Sequence, residues 1–363
     1  MNVRPSGSEN KFLLGVIEGF YGHQWSWSTR ADYAAFLSDI GFDCYIYAPK
    51  GDPFLRSRWR EQHSWEQWSN LSNLVEIYHK ASLRIGVGLS PLGLNKDYSF
   101  HDKINLLNKV RALNDLNIDI LCILFDDTEG DIPDLAQRQS SIVNDILSVS
   151  SANQFVVCPT YYSCDPVLEE VFGKKPAQYL ENLALGIPSS VDIFWTGDKV
   201  ISTEYTGRGM TEITNVIGRR PVIWDNYPVN DGKVTSNFLN LRPHAGRPRE
   251  LRSWSSGHMV NPMNQPLLST IALHSLADSY HSETHYDKST LLLRALGRFN
   301  NTPFSSRLVE DVNRFQDYGL GALTAIEKTS LISIYQQFDH PAADEVCEWL
   351  AGHFQFDPEC LTS

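Results

Sequence analysis

The chain has 363 residues, of which 42% are hydrophobic and 20% charged, a globular composition that excludes global disorder. Its formal net charge of −12 argues against a nucleic-acid-binding surface, which needs clustered Lys and Arg, and against a basic membrane-binding face. The length accommodates one large domain with an appendage.

Eight short apolar runs recur along the chain, separated by longer segments. The runs are residues 13–20, 43–49, 84–91, 119–127, 154–162, 191–197, 220–226 and 258–263. Runs that are apolar at nearly every position are typical of strands buried on both faces, and such strands form parallel sheets.

The segments between the runs carry the signals of helices. In the first of them, Ser28 and Thr29 precede an apolar periodicity that ends at Gly41, where a helix C-cap is expected. Residues 102–117 and 135–149 place apolar side chains at a similar spacing. Eight strand–helix units predict a (β/α)8 TIM barrel, a fold usually about 250 residues long. A doubly wound open sheet is the alternative, although no glycine-rich phosphate turn follows the first run.

From residue 288 onward the rhythm changes, and no strand-like run remains. Helix-like segments cover residues 288–299, 305–316, 319–337 and 341–354. The sequence therefore predicts a (β/α)8 catalytic domain over residues 1–287 and a small C-terminal helical region over residues 288–363.

The N-terminal residues and the cysteines indicate in which cellular compartment the protein is expected. Residues 1–12 contain no apolar run, and no stretch reaches the roughly 18 apolar residues of a membrane helix. The six cysteines form no C-x-x-C pair, and three lie in apolar runs, so we expect buried free thiols. These features predict a cytoplasmic protein without a metal site.

Polar side chains gather where the predicted strands end. The ends carry residues 18–22, 47–50, 126–127, 159–162, 224–226 with 230–231, and 261–264. Chemistry in a TIM barrel takes place at the carboxyl ends of the strands, so these residues predict a site at that rim.

The adjacent carboxylates of Asp126 and Asp127 are the strongest single signal. Neighbouring side chains at a strand end are expected to point to different sides, with charges still close enough to interact. Repulsion and partial burial would raise one pKa and leave an acid beside an ionised partner, which suits glycoside hydrolysis. A capping aspartate, or a pair of Mg²⁺ ligands, is the alternative.

Together these residues resemble glycoside hydrolase family 84, the O-GlcNAcase-type β-N-acetylglucosaminidases. The resemblance runs in colinear order from about residue 13 to residue 280. It is carried by residues 15–22 (GVIEGFYG), 47–50 (YAPK), 59–61 (WRE), 124–127 (LFDD), 158–160 (CPT), Tyr162, 195–197 (WTG), 221–226 (PVIWDN), 230–231 (ND) and 261–262 (NP). Gly51 and Tyr161 differ from residues common in the family.

The resemblance implies a retaining exo-β-N-acetylglucosaminidase that hydrolyses terminal β-linked GlcNAc. In this family the substrate's own 2-acetamido oxygen attacks the anomeric carbon and forms an oxazoline. Asp126 would orient the acetamido N–H, Asp127 would act as acid and then base, and Tyr162 would bond the acetamido oxygen. The implied substrate-binding residues are Gly19, Lys50, Cys158, Trp224, Asn226, Asp231 and Asn261.

No cofactor is implied, and the expected partner is a GlcNAc-bearing glycoconjugate or glycopeptide. Three other functions remain open from the sequence. The first is an endo-acting, hyaluronidase-like glycosidase, and the second is a non-catalytic GlcNAc-binding protein. The third is a divalent-metal hydrolase in which Asp126 and Asp127 are ligands. The sequence does not specify the oligomeric state.

Overall fold

The protein folds as a closed barrel of eight parallel strands, which confirms the predicted fold class. The structure, a computed structural model, describes residues 12–281, 287–354, 356, 358–360 and 362. Each strand pairs with the next, and β1 pairs with β8. The strands are β1 Leu13–Glu18, β2 Cys44–Tyr47, β3 Arg84–Leu89, β4 Ile120–Leu124, β5 Gln154–Cys158, β6 Asp192–Trp195, β7 Val222–Asp225 and β8 Gly257–Val260.

Every strand coincides with a predicted apolar run, but most end earlier than the run does. In β4, for example, all five residues are buried, and the chain leaves the sheet after Leu124 although the run continues to Asp127. Most of the polar residues that close the runs therefore lie in the loops beyond the strands, and the others, such as Glu18 and Asp225, are the last residues of their strands. This places them at the carboxyl rim of the barrel, where TIM barrels hold their active sites.

Helices cover the outside of the barrel between the strands. They are α1 Trp27–Asp39, α2 Trp65–Lys80, α3 Phe100–Asn114, α4 Leu135–Leu147, α5 Val167–Phe172, α6 Tyr179–Gly186, α7 Gly207–Ile217, α8 Leu251–Trp254 and α9 Pro266–His281. The predicted start of α1 was too late. Ser26 is the N-cap, because its side chain accepts a hydrogen bond from the Thr29 backbone N–H at 3.0 Å.

The helical region follows as α10 Lys288–Gly297, α11 Thr302–Val312, α12 Ala325–Tyr335 and α13 Pro341–Leu350. A π-helical turn, Asn313–Tyr318, extends α11. Trp349 of α13 is buried in one apolar cluster with Met263 and Leu268, which belong to the barrel side of the predicted boundary. The division at 287/288 adjoins residues 282–286, which lie outside the described residues, and it stays a prediction.

Glu345 of α13 fixes this region to the barrel. Its buried carboxylate accepts hydrogen bonds from the backbone N–H groups of Leu267 at 2.8 Å and Leu268 at 2.9 Å. These two N–H groups lie in the first turn of α9, where a helix has no internal acceptors. The Glu345 side chain therefore caps the N-terminus of α9, the helix that follows the last strand.

The described helices include none both long and apolar enough to cross a membrane. Cys44, Cys122 and Cys158 are buried and form no disulfide bond with another described residue, as expected for cysteines in apolar runs. Cys164 is exposed, because it lies in the loop beyond β5.

A buried ion pair ties together the loops at the end of β7. Asp225 accepts two hydrogen bonds from Arg247, at 2.8 and 2.6 Å, and lies 3.0 Å from Nε2 of His258. Arg247 also donates to the carbonyl oxygens of Ser202 and Thr203. Burial raises the pKa of Asp225, but Arg247 and His258 lower it more, so the net pKa is well below the usual value. Asp225 thus orients the loops.

We expect Asp225→Ala to lower the free energy of unfolding by about 3–5 kcal/mol, because it leaves the buried Arg247 without its counter-charge. Urea unfolding followed by circular dichroism measures the change. Glu212→Ala is the matched control, since it breaks the exposed Arg208–Glu212 pair and should change little. Equal losses in both variants would contradict the assigned role of the buried pair.

Candidate active site

One cavity at the carboxyl rim of the barrel brings together all of the site residues predicted from the sequence. Loops after seven of the eight strands contribute to it, and the loop after β3 does not. The cavity is lined by Gly19, Tyr21, Lys50, Asp126, Asp127, Cys158, Tyr162, Thr196, Val200, Ile201, Trp224, Asn226, Val229, Asp231, Asn261, Cys360 and Thr362.

Asp126 and Asp127 both line this cavity, which differs from the expectation that they point to different sides. The backbone of Asp127 adopts a left-handed conformation with a φ of 55°, which turns the chain just beyond β4. The ammonium of Lys50 forms an ion pair with Asp126 and lies 3.9 Å from Oδ2 of Asp127. One cation therefore faces two carboxylates in a buried site.

The two carboxylates differ in their surroundings. Burial raises the pKa of Asp127, the Lys50 ammonium lowers it, and the charge of Asp126 raises it again, with a net rise. Oδ1 of each aspartate is buried and has no hydrogen-bond partner among the described residues. The site thus places a carboxyl with a raised pKa beside an ion-paired carboxylate, and each has one oxygen available to a bound molecule.

Tyr21 and Arg56 are site residues that the sequence reasoning missed. Tyr21 Oη donates a hydrogen bond to Oδ2 of Asp127 at 2.6 Å. Arg56 Nη2 in turn donates to Tyr21 Oη at 3.0 Å. Tyr21 stands in the motif that ends β1, so its position was a usable signal. Arg56 lies in a loop after β2, and no pattern distinguished it from neighbouring arginines.

Asp231 lies close to the hydrogen bonds that run from Arg56 through Tyr21 to Asp127. Its Oδ2 accepts a hydrogen bond from the backbone N–H of Tyr21 at 2.8 Å. Burial raises the pKa of Asp231 to about 6, although that hydrogen bond acts in the other direction.

A hydrogen-bonded wall closes another side of the cavity. Trp224 Nε1 donates to Oδ1 of Asn226 at 2.9 Å, and Asn261 Nδ2 donates to the same oxygen at 3.0 Å. Oδ1 of Asn261 accepts from the backbone N–H of Gly19 at 3.2 Å. A Cβ at position 19 would lie 2.4 Å from Cζ2 of Trp224, so only glycine leaves room for the ring. These contacts join the ends of β1, β7 and β8.

Cys158 and Tyr162 line the cavity beyond β5. Burial raises the pKa of the Cys158 thiol, so the group is neutral and presents an apolar surface. Burial, with the nearby charge of Asp127, also raises the pKa of Tyr162, which stays a phenol able to donate a hydrogen bond.

The two departures from the family pattern lie outside the cavity lining. Tyr161 donates to the Gly173 carbonyl oxygen at 2.6 Å. A Cβ at Gly51 would lie 2.6 Å from Nε2 of Gln24.

In the part of the chain that the structure describes, no three His, Cys, Asp or Glu side chains form a group that could hold a metal ion. At Asp126 and Asp127 the Lys50 ammonium supplies the positive charge that a shared cation would otherwise carry.

Comparisons with known proteins agree with this geometry. A family model described as beta-N-acetylglucosaminidase matches residues 14–316. The Protein O-GlcNAcase of Mus musculus is 30% identical over 290 residues, which are 77% of this chain and 31% of that protein. The Rattus norvegicus Protein O-GlcNAcase is 30% identical over 287 residues, 76% of this chain and 31% of that protein. The chain thus matches less than a third of the length of these relatives.

A solved structure of a mutant O-GlcNAc hydrolase from Thermobaculum terrenum has a similar fold. It superposes with a TM-score of 0.76 at 27% sequence identity. The match covers 95% of this chain and 82% of the other.

We expect Gly19→Ala to displace the Trp224 ring and to lower the free energy of unfolding by about 1–3 kcal/mol, the usual effect of overpacking. Tryptophan fluorescence and thermal unfolding measure the two effects. Gly297→Ala in α10 is the control, because an added Cβ there meets no atom within 4 Å. A Gly19→Ala protein with unchanged fluorescence and stability would mean that the wall tolerates a side chain at this position.

Proposed function

This chain belongs to the β-N-acetylglucosaminidase family, and from that premise we propose that it is a retaining exo-β-N-acetylglucosaminidase acting on terminal β-linked GlcNAc. The observation that carries the proposal is the buried pair of Asp126 and Asp127. The two face one ammonium, one of them has a raised pKa, and each keeps an unpartnered oxygen among the described residues. The relatives' name suggests a glycopeptide or another glycoconjugate as the substrate.

In the first step the nucleophile belongs to the substrate. The 2-acetamido N–H donates to Oδ1 of Asp126, whose other oxygen is held by Lys50. This contact concentrates negative charge on the acetamido oxygen, which attacks the anomeric carbon. A carbon–oxygen bond forms, the bond to the aglycone breaks, and a protonated oxazoline results, whose N–H stays hydrogen-bonded to Asp126. An enzyme carboxylate that is ion-paired, as Asp126 is, suits orientation better than covalent attack.

The leaving oxygen needs a proton, and Asp127 supplies it. Its raised pKa favours the protonated carboxyl, and Oδ1 is available while Oδ2 is held by Tyr21. In the second step Asp127, now ionised, takes a proton from water as the water attacks the anomeric carbon. The bond from that carbon to the oxazoline oxygen breaks, which restores the acetamido group. Two displacements at that carbon retain its configuration.

The remaining groups hold the sugar and its side arm. Tyr162 donates to the acetamido oxygen, and Trp224 with Cys158 surrounds the methyl group. Gly19, Lys50, Asp231 and Asn261 bind the hydroxyls. The wall from Trp224 to Gly19 closes one side of the cavity, which favours a chain end over the middle of a polymer.

Two other functions are separated by simple assays. An endo-acting enzyme would release large fragments from a long glycan, whereas the proposed enzyme releases single GlcNAc residues. A binding protein would retain GlcNAc-terminated ligands without turnover.

For Asp127→Asn we expect kcat/KM to fall about 10²–10⁴-fold on GlcNAc conjugates with poor leaving groups, the usual contribution of a general acid. Aryl β-GlcNAc substrates with activated leaving groups need little protonation and should lose far less. The slope of log kcat/KM against leaving-group pKa measures the difference.

Asp126→Asn is the matched comparison, because it makes the same replacement of a carboxylate by an amide at the neighbouring residue. It should slow all leaving groups alike, since orientation of the acetamido group is needed throughout. Equal losses of Asp127→Asn on good and poor leaving groups would overturn the assignment of the acid.

The fall of kcat/KM on the alkaline side of its pH profile, the alkaline limb, should report the ionisation of Asp127. Activity is expected to fall as pH rises through its pKa, because the proton donor is lost. The hydrogen bond from Tyr21 stabilises the carboxylate and lowers that pKa, so Tyr21→Phe should move the limb upward by about one pH unit. The kcat/KM profile of the two proteins tests this, and an unchanged or lowered limb would contradict it.

A further inference from the structure

Three residues far along the chain lie at the predicted catalytic cavity. Cys360 and Thr362 belong to its lining, although they follow α13 and not a barrel strand. Glu359 forms an ion pair with Arg56, in which the Arg56 side chain is 9% exposed and that of Glu359 is 64% exposed. We call Glu359, Cys360 and Thr362 the occluding residues.

The occluding residues engage groups that the proposed mechanism uses. Arg56 supports Tyr21, which holds Asp127. Thr362 lines the same cavity as Tyr162 and is close enough to affect the pKa of its phenol. In the proposed reaction Tyr162 bonds the acetamido oxygen of the substrate, so Thr362 occupies space that the acetamido group needs.

With these residues in place, little room remains. The cavity volume is about 50 Å³, which holds only a few water molecules. A hexosamine ring with its acetamido arm is far larger, so it cannot enter unless part of the lining moves. Glu359 is the most easily released contact, because its side chain is largely exposed and surface ion pairs are weak.

The occluding residues leave the reacting carboxylates unsatisfied. Oδ1 of Asp126 and Oδ1 of Asp127 still have no partner in the described parts of the chain. A GlcNAc residue would supply a donor to Asp126 and an acceptor for the Asp127 proton. Substrate therefore gains contacts that the occluding residues do not make, and it can displace them.

We propose that Glu359, Cys360 and Thr362 form an internal competitor that holds the active site closed until substrate displaces it. The proposal rests on the proposed function for the identity of the substrate. A closed state that must open lowers the apparent affinity in proportion to the open fraction. It does not slow the saturated enzyme, because bound substrate keeps the competitor out.

The kinetic test uses the full chain with Glu359→Gln and Thr362→Val together. We expect KM for an aryl β-GlcNAc substrate to fall about tenfold, equivalent to about 1.4 kcal/mol, with kcat within about twofold of the parent. The matched control is Glu348→Gln with Thr329→Val, two exposed residues of α13 and α12, and it should leave KM unchanged. An unchanged or higher KM in the first variant overturns the proposal.

A second measurement needs no turnover and so separates this proposal from the proposed function. Iodoacetamide alkylation of Cys360, followed by peptide mapping, should be faster in the Glu359→Gln, Thr362→Val protein than in the parent without any ligand. A GlcNAc-derived thiazoline should accelerate it in the parent, while the exposed Cys164 reacts alike in all samples. A Cys360 rate equal in both proteins overturns the occlusion. Faster Cys360 alkylation in a protein that hydrolyses no GlcNAc substrate supports the occlusion and refutes the proposed function.

Discussion

The site depends on one constraint, which is that the buried carboxylates of Asp126 and Asp127 face a single ammonium group, that of Lys50. Lys50 can neutralise only one negative charge, so Asp126 and Asp127 cannot both ionise without a cost in a desolvated cavity. The two carboxylates differ accordingly, since Asp126 forms the ion pair with Lys50 and the pKa of Asp127 is raised. Tyr21 and Arg56 then fix which oxygen of Asp127 stays available. The chemistry follows from that difference more than from any single residue.

Much of the fold could be predicted, because the signals for it are local. A strand buried on both faces must be apolar at nearly every position, and eight such runs leave few alternatives to a barrel. The family resemblance supplied the candidate site residues, and they meet in one cavity because the ends of parallel strands converge on one rim. The start of α1 was misplaced because Ser26, Ser28 and Thr29 all resemble N-caps, and only backbone geometry selects Ser26.

The parts that could not be predicted depend on contacts between distant positions. Arg56 and Glu359 are 303 residues apart, and no spacing rule connects them. Arg247 lies in an arginine-rich segment of the sequence, yet it is buried against Asp225. The left-handed backbone conformation of Asp127 could not be predicted from the sequence either, because aspartate adopts that conformation only where the surrounding turn requires it. Tertiary packing decides all three.

The hydrogen bonds from α9 to Glu345 have a consequence for how the protein could be divided. A shortened chain that kept only the barrel would lose the acceptor for Leu267 and Leu268 and would bare the apolar surface around Met263. Because α9 directly follows β8, whose end carries Asn261, the damage would reach the substrate wall. The helical region thus stabilises the last strand–helix unit. A chimaeric protein that takes the barrel from this chain would have to include α13 as well.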